Sequence, residues 1–261
     1  MRYLTADIIY PLHRAPIKEG VLVVAEDGSI VDLLESREGI AELEIFEGFL
    51  CPGFVNTHCH LELSHMLGKL PQQTGLPDFI SKVPKERKAT TEEIQEAIIK
   101  ADALMQANGI VAVGDIANTV DTFSLKEKSA IHYHTFIELF AIDSQKAEVV
   151  FKNGLELQVQ CQTANSLVPH ATYSVSEKLF ELIRENNKGE IVCMHNQETA
   201  TEDELFEKGS GTMYEQLKAF GELPMSGQSS LRTTLPQLPH APTLLVHNTY
   251  TKDTLPIWLR F

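Results

Sequence analysis

The chain is short of cysteine, short of basic residues and free of long apolar runs. Its four cysteines form no Cys-x-x-Cys pair and no tight framework, so we expect them to be reduced, as in the cytoplasm. The 22 Lys and Arg face 36 Asp and Glu, and the net charge of −14 argues against a nucleic-acid backbone as partner. No apolar run reaches the ~20 residues that span a membrane, and no apolar signal segment follows Met1. A small molecule is therefore the expected partner, with a homo-oligomer left open.

The motifs of several enzyme classes are also absent. The sequence has no Walker, Rossmann or Gly-x-Ser-x-Gly motif. It also lacks the combined signature of one class of nucleobase deaminases, His-x-Glu with Pro-Cys-x-x-Cys, because no Pro-Cys-x-x-Cys occurs, which argues against that zinc-deaminase fold. A content of 43% hydrophobic and 22% charged residues over 261 positions is typical of a globular chain that can bury a large core.

The pattern of residues changes near Pro52. Before it, short β-type runs separated by turns, such as the hairpin signal Glu26-Asp27-Gly28, predict a small antiparallel sheet over residues 1–50. After it, strands alternate with helices, which predicts a parallel sheet of βαβ units. The best-defined helix is expected from Thr91 to Asn108, with a capping box at Thr90 to Glu93.

Six strands can be placed in the second region, and four of them end in histidine. A closed (β/α)8 barrel has eight strands, and barrel enzymes build their sites at the C-terminal strand ends. Residues 209–242, rich in Gly, Pro and Ser, are expected to form an active-site loop with a short helix. The predicted strand ends lie near His60, Asp115, Ala141, His170, His195 and His247.

Two His-x-His pairs lie in strand-like runs. Because successive side chains of a strand point to opposite faces, His58 and His60 share a face and could bind one divalent ion. His132 and His134 have the same spacing, so spacing alone decides nothing. We expect that second pair to be structural, with Glu138 as its nearest partner. A separate acid, Asp115, ends an apolar strand and is expected to cap a helix.

The surroundings of the first pair are more specific than its spacing. Pro52-Gly53-Phe54-Val55-Asn56-Thr57-His58-Cys59-His60-Leu61-Glu62 resembles the first barrel strand of the amidohydrolase superfamily, in the branch of cytosine and guanine deaminases, chlorohydrolases and aminodeoxyfutalosine deaminase. The resemblance continues in the family's order through Ser166 to Val175, His195 to Thr199 and Leu244 to Asn248.

This resemblance implies a fold and a division into domains. The fold class would be α/β, with a TIM-type (β/α)8 barrel of the metal-dependent hydrolase kind over residues 51–261. About six of its strands are present. Residues 1–50 would be the N-terminal part of a composite β-sandwich. We expect the last barrel strands to be missing through a truncation or a shifted reading frame.

The resemblance also implies a metal site. His58, His60 and His195 would be the ligands, and three imidazoles with a water are an established catalytic zinc arrangement. Neutral imidazole suits iron as well. The family adds an aspartate from an eighth strand, and no segment of this sequence matches it. The expected cofactor is one divalent ion, zinc before iron.

Two residues would perform proton transfer and orientation in the resembled family. Glu198 would take a proton from water and deliver it to a leaving nitrogen. Its alternative role is that of a surface carboxylate at a helix start, next to the Glu-rich run from Glu202 to Glu207. The segment from Thr201 to Glu204 is expected to cap that helix. His247 would hydrogen-bond the attacking water or the substrate, and its alternative role is that of a core histidine.

Three further residues are candidates for substrate binding. His170 and Tyr173 lie in a segment that resembles the family's substrate contact, although Thr172 replaces the usual proline there and is expected to loosen the turn. Glu62, two residues beyond His60, would be a substrate contact or a hydrogen-bond partner of the ligands.

These residues together predict a metal-dependent hydrolase of carbon–nitrogen bonds other than peptide bonds. The expected reaction is deamination of an aminated heterocycle or nucleoside. One alternative is hydrolysis of a cyclic amide or a chloro-substituted ring at the same site. Another is a catalytically incomplete product that only binds.

Overall fold

The computed structural model describes residues 1–223 and 225–251 of the chain. The chain forms two compact units, one over Met1–Phe54 and the other from Val55 onward. The boundary lies close to the change of pattern near Pro52. That these units are domains of a sandwich and a barrel stays a prediction.

The first unit consists of short strands in two small sheets. One sheet has the order β5-β4-β1-β6 and the other β3-β2-β7. The predicted hairpin is confirmed, since Gly28 at φ 86° closes the turn between β4 and β5. The sheets are mixed and not simply antiparallel, because β6 and β7 pair in parallel with β1 and β2. The strands are β1 (Arg2–Thr5), β2 (Ile8–Ile9), β3 (Ile17–Lys18), β4 (Val21–Val24), β5 (Ile30–Leu34), β6 (Glu44–Ile45) and β7 (Phe49–Leu50).

Six further strands lie in the described residues from Phe54 onward. Four form a sheet in the order β11-β10-β9-β8, and two form the pair β12-β13. The registers of β9 with β10, β10 with β11 and β12 with β13 are parallel, as the alternation of strands and helices predicted. The strands are β8 (Phe54–Cys59), β9 (Ile110–Ala117), β10 (His132–Leu139), β11 (Ala164–Pro169), β12 (Val192–Asn196) and β13 (Thr243–His247).

Helices connect these strands, and the second unit has the α/β class that the sequence predicted. Short 3-10 turns lie at 61–66, 144–146, 172–174 and 235–237. No helix within the described ranges is long and apolar enough to cross a bilayer. The helices are α1 (Leu76–Glu86), α2 (Thr91–Ala107), α3 (Phe123–Lys126), α4 (Ala147–Gln160), α5 (Glu177–Asn186), α6 (Ala200–Lys208), α7 (Gly211–Leu217) and α8 (Ser230–Thr234).

Of the helix caps predicted for α2 and α6, the first is confirmed and the second is wrong. The capping box of α2 is confirmed, because the Glu93 amide donates to Thr90 Oγ1 at 3.2 Å and the Thr90 amide to Glu93 Oε2 at 2.8 Å. The predicted cap at Thr201 to Glu204 is wrong, since α6 begins at Ala200 with Thr199 as its N-cap. The segment predicted as one loop over 209–242 holds both α7 and α8.

A close approach of β9 to β8 sets the position of the first histidine strand. A Cβ on Gly114 would lie 2.6 Å from the main-chain oxygen of Thr57 and 2.8 Å from the ring of Phe136. Real Cβ atoms do not come so close, so only glycine lets the two backbones meet here. The peptide that is held in this way directly precedes His58.

A buried ion pair lies beneath these strands. Asp115 in β9 and Lys126 at the end of α3 approach to 2.6 Å, with both side chains fully shielded from water. Lys126 also donates to Thr135 Oγ1 at 3.1 Å, and the amide of Leu61 donates to Asp115 Oδ1 at 2.7 Å. The predicted helix cap is therefore wrong for α3, the helix that follows. Asp115 instead holds the turn after β8 and neutralises a buried ammonium group.

We predict that Asp115→Asn lowers the free energy of unfolding by about 3–5 kcal/mol, because it leaves the Lys126 ammonium buried without a counter-charge. Urea denaturation at neutral pH measures the change. The matched control is Glu156→Gln, which removes the partner of Lys152 at 4.0 Å on an exposed surface of α4. The control should lose under about 0.5 kcal/mol. Equal losses in the two variants would contradict this account of the buried pair.

Candidate metal centre and active site

Five histidines from four strands converge at one place. His58 and His60 come from the end of β8, His170 follows β11, His195 lies in β12 and His247 ends β13. The ring of His195 is 4.8 Å from that of His58, 5.0 Å from His170, 5.3 Å from His60 and 5.8 Å from His247, measured between centroids. The convergence follows from the fold, since parallel strands bring their carboxyl ends to the same edge.

Three of these imidazoles have the spacing of metal ligands. The Nε2 atom of His60 lies 3.2 Å from Nε2 of His58 and 3.2 Å from Nε2 of His195. Zinc–nitrogen bonds of ~2.0–2.1 Å in tetrahedral geometry separate the ligand nitrogens by about 3.3 Å. The donor atoms of this group all lie within 4.8 Å of one another, so they could bind one small divalent ion.

The protonation states of the three imidazoles also suit a metal. Burial and then the neighbouring rings lower the pKa of His58 to about 4 and that of His60 to about 3. Burial and then His170 lower the pKa of His195 to about 3. These rings are neutral at neutral pH, and only a neutral imidazole has a lone pair free for a cation.

The tautomer of His195 is fixed by its surroundings. Its Nδ1 atom lies 3.0 Å from the main-chain oxygen of His170, and a carbonyl oxygen can only accept. Nδ1 must therefore carry the proton and donate it, which leaves the Nε2 lone pair directed at His58 and His60. On the other side, His58 Nδ1 lies 3.6 Å from the buried thiol of Cys193.

Glu198 and His247 lie next to each other beside the cluster. Glu198 Oε2 is 3.7 Å from His247 Nε2, and the ring of His247 stacks on that of His195. Burial raises the pKa of Glu198, against the opposing pull of His247. A carboxyl group with a raised pKa beside a histidine can both accept and donate a proton. His247 itself has a left-handed φ of 74°, which turns the chain at the end of β13.

His170 and Tyr173 lie next to the histidine cluster, on the side of His195. Their rings meet edge-on at 5.8 Å, and His170 Nδ1 lies 2.6 Å from Ser174 Oγ. Burial lowers the pKa of His170 to about 4. In the turn where Thr172 replaces the proline, buried Thr172 Oγ1 accepts from Asn196 Nδ2 at 3.1 Å and bonds to Thr234 Oγ1.

Glu62 is the predicted site residue with the most internal partners. Its Oε2 atom accepts from the amides of Asn118 and Thr119 at 3.0 and 3.1 Å, and its Oε1 atom lies 3.5 Å from Arg87. The side chain is 2% exposed. Both carboxylate oxygens are engaged by the protein itself, so the geometry favours a supporting contact over the alternative of direct substrate contact.

Glu138 at the end of β10 was missed as a site residue by the sequence analysis. Its Oε1 atom is buried without a hydrogen-bond partner and lies 3.5 Å from His195 Nδ1. It also lies with His170 and His195 in a group whose donor atoms are all within 4.8 Å of one another. Burial raises its pKa to about 7. An acid among the apolar residues Phe136, Ile137 and Leu139, near the carboxyl end of β10, was the signal that could have revealed it.

The second His-x-His pair lies apart from this cluster. His134 Nε2 contacts Ser166 Oγ at 3.0 Å, and His132 is exposed at the first residue of β10. Glu138 is not their partner, which corrects the prediction, because it lies near the other end of β10 beside His195.

Curated proteins of similar sequence are deaminases, although no protein-family model matches the chain. The 5'-deoxyadenosine deaminase of Methanococcoides burtonii is 27% identical over 207 residues, which cover 72% of this chain and 46% of that enzyme. The adenosine deaminase of Helicobacter pylori is 26% identical over 171 residues, covering 62% of this chain and 41% of that enzyme. The chain thus spans about half the length of the curated relatives it matches.

Solved structures of similar fold include three hydrolases. The aminofutalosine deaminase of Helicobacter pylori with bound methylthio-coformycin has a TM-score of 0.73 at 18% identity, covering 96% of this chain and 65% of that one. Guanine deaminase of C. acetobutylicum has a TM-score of 0.64 at 16% identity, covering 85% and 61%. An atrazine chlorohydrolase variant of Arthrobacter aurescens, solved with zinc, has a TM-score of 0.63 at 14% identity, covering 91% and 58%. The sequence matches confirm the predicted resemblance to deaminases, and the solved structures show a similar fold.

Proposed function

We propose that this chain carries the site of a metal-dependent hydrolase that deaminates an adenosine-like nucleoside. The observation that supports it most is the set of three neutral imidazoles at ligand spacing, His58, His60 and His195, with Glu198 and His247 beside them. We propose zinc as the ion, since three imidazoles are a common catalytic zinc set. When bound, the ion supplies Lewis-acid activation of a water molecule.

The protein groups have separate parts in the proposed reaction. Glu198 takes a proton from the water and delivers it to the amino nitrogen. The water oxygen adds to the ring carbon, the carbon–nitrogen bond breaks and ammonia leaves. His247, 3.7 Å from Glu198, orients the water. His170 and Tyr173, whose rings meet at 5.8 Å, contact the substrate.

The substrate class rests on the relatives by sequence. They are named as deaminases of 5'-deoxyadenosine, of adenosine and of methylthioadenosine with S-adenosylhomocysteine. All of these substrates are adenine nucleosides. A second candidate is hydrolysis of a chloro-substituted ring, which the similarity of fold to atrazine chlorohydrolase favours. We prefer deamination because the sequence matches are to nucleoside deaminases.

We further propose the architecture in which this site functions. Residues 51–261 would belong to a (β/α)8 barrel, which six strands at 54–247 and the similar folds of known hydrolases support. Of this range, positions 224 and 252–261 lie outside the described residues. Residues 1–50, with their two small sheets, would belong to a β-sandwich. We propose the cytoplasm as the location, in keeping with four free cysteines.

We predict that the purified chain retains about one zinc ion after dialysis against a weak chelator. His58→Ala and His60→Ala should each lose the zinc ion. With only two ligand nitrogens left, the protein cannot keep the ion in competition with the chelator. Metal analysis by mass spectrometry measures the content. His132→Ala is the matched control, since it alters the other His-x-His pair and should keep its metal. Metal that survives in the His58 and His60 variants, or a wild-type chain that binds none, would overturn the proposed site.

We predict that the metal-loaded chain releases ammonia from 5'-deoxyadenosine and that Glu198→Gln lowers kcat by roughly 10²- to 10⁴-fold, because the amide cannot transfer a proton. A coupled ammonia assay measures the rate, and the metal content should not change. Glu207→Gln, on the exposed side of α6, is the control and should keep full activity. Full activity in Glu198→Gln would remove that residue from the mechanism. Release of chloride from a chloro-ring, without release of ammonia, would favour the second candidate.

A further inference from the structure

The turn that presents Glu198 has no regular hydrogen bonding of its own. It joins the end of β12 at Asn196 to the start of α6 at Ala200. Gln197 within it has a φ of 48°, in the left-handed region that a residue with a side chain seldom adopts. Such a conformation persists only where the surroundings hold it.

Glu202 binds the amides of this turn, while the Tyr250 amide and the Thr251 hydroxyl donate to the main-chain and side-chain oxygens of Gln197. Its Oε1 atom accepts from the amide of Gln197 at 3.0 Å, and its Oε2 atom accepts from the amide of Glu198 at 3.1 Å. The residue is 0% exposed. One buried carboxylate therefore binds two successive peptide groups, including the peptide of the proposed proton carrier.

This use of Glu202 differs from ordinary helix capping. It is the third residue of α6, and a glutamate there would usually accept from the N-cap amide, here that of Thr199. Glu202 instead reaches past the N-cap to Gln197 and Glu198. Its contacts therefore serve the turn more than the helix.

Glu202 and its neighbour Asp203 are themselves hydrogen-bonded to α8. Ser230 Oγ, from α8, donates to Glu202 Oε1, and the Ser230 amide donates to Asp203 Oδ1 at 3.0 Å. Asp203 in turn accepts from the side-chain amide of Gln197 at 3.2 Å. Two adjacent buried acids thus bind the backbone and the side chain of the same turn.

We propose that Glu202 is a positioning residue that holds Glu198 in its working place beside His247. This inference rests on the proposed function, because it concerns the residue assigned to proton transfer. Fixing the Glu198 amide fixes its Cα, and thereby the direction from which its carboxylate reaches the 3.7 Å contact with His247. Misplacement of a catalytic group by about 1 Å can cost a factor of ~10² in rate.

The test compares Glu202→Gln and Glu202→Asp with Glu207→Gln on the same helix. Glutamine keeps the size but has one accepting oxygen, and aspartate keeps the charge but is one methylene shorter. Amide hydrogen exchange, resolved by residue, should show protection at 197 and 198 falling roughly tenfold or more in both Glu202 variants, with the control unchanged. A melting curve of each Glu202 variant shows whether the variant folds. A folded variant that loses protection only at 197 and 198 has lost the contacts of the turn and not the fold.

Kinetics supply the readout that a merely structural role would not change. In Glu202→Gln we expect kcat to fall roughly 10- to 100-fold with KM within about threefold, since substrate contacts are untouched. In a Glu198→Gln background the same substitution should have almost no further effect on kcat, because the group it positions is gone.

The outcomes separate this inference from the proposed function. Unchanged protection at 197 and 198 would overturn it, whatever the activity. A full additional loss of kcat in the Glu198→Gln background would also overturn it. A wild-type chain that binds zinc but releases no ammonia would refute the proposed function. The kinetic comparison would then be lost, and amide exchange at 197 and 198 would be the one remaining test of whether Glu202 holds the turn.

Discussion

The candidate site depends on the joint burial of several imidazole rings, those of His58, His60 and His195 with His170 and His247 beside them. Burial disfavours the charged form of each ring, and every neighbouring ring that gained a proton would repel the next. Burial and neighbouring rings lower the pKa of His58, His60 and His195, so these imidazoles are uncharged at neutral pH and their lone pairs are available to a cation. The main-chain oxygen of His170 fixes the tautomer of His195, so the direction of the lone pair is determined by the backbone of the preceding strand.

Buried acids hold the irregular backbone around this cluster in place. Asp115 binds the amide that opens the turn after β8, Glu62 binds two amides after β9, and Glu202 binds two amides after β12. At each of these strand ends the chain leaves a ladder of hydrogen bonds, and its amides would otherwise be buried without partners. A carboxylate has several accepting positions and can satisfy two amides at once, which a neutral side chain cannot do as strongly.

The sequence predicted the features that depend on local spacing. The capping box at Thr90, the hairpin at Gly28 and the alternation that places His58 and His60 on one face all follow from contacts within a few residues. The contacts that Asp115, Glu138 and Glu202 make could not be predicted from local spacing. Their partners Lys126, His195 and Ser230 lie 11, 57 and 28 positions away, and only the folded topology brings such pairs together. The sequence around Glu202 predicted a helix cap for a related reason, because its position at a helix start is typical of a cap while its carboxylate reaches the turn before the helix.

The two His-x-His pairs show what decides between a site and a structural role. Both have the same spacing, and both lie on strands. His132 is the first residue of β10 and is exposed, whereas His58 and His60 lie at the carboxyl end of β8. The carboxyl ends of the parallel strands are where His170, His195 and His247 also arrive, so only the first pair meets further imidazoles. The position of a ligand pair along its strand thus carries more information than the spacing within the pair. That position can be estimated from sequence wherever a helix start follows within a few residues.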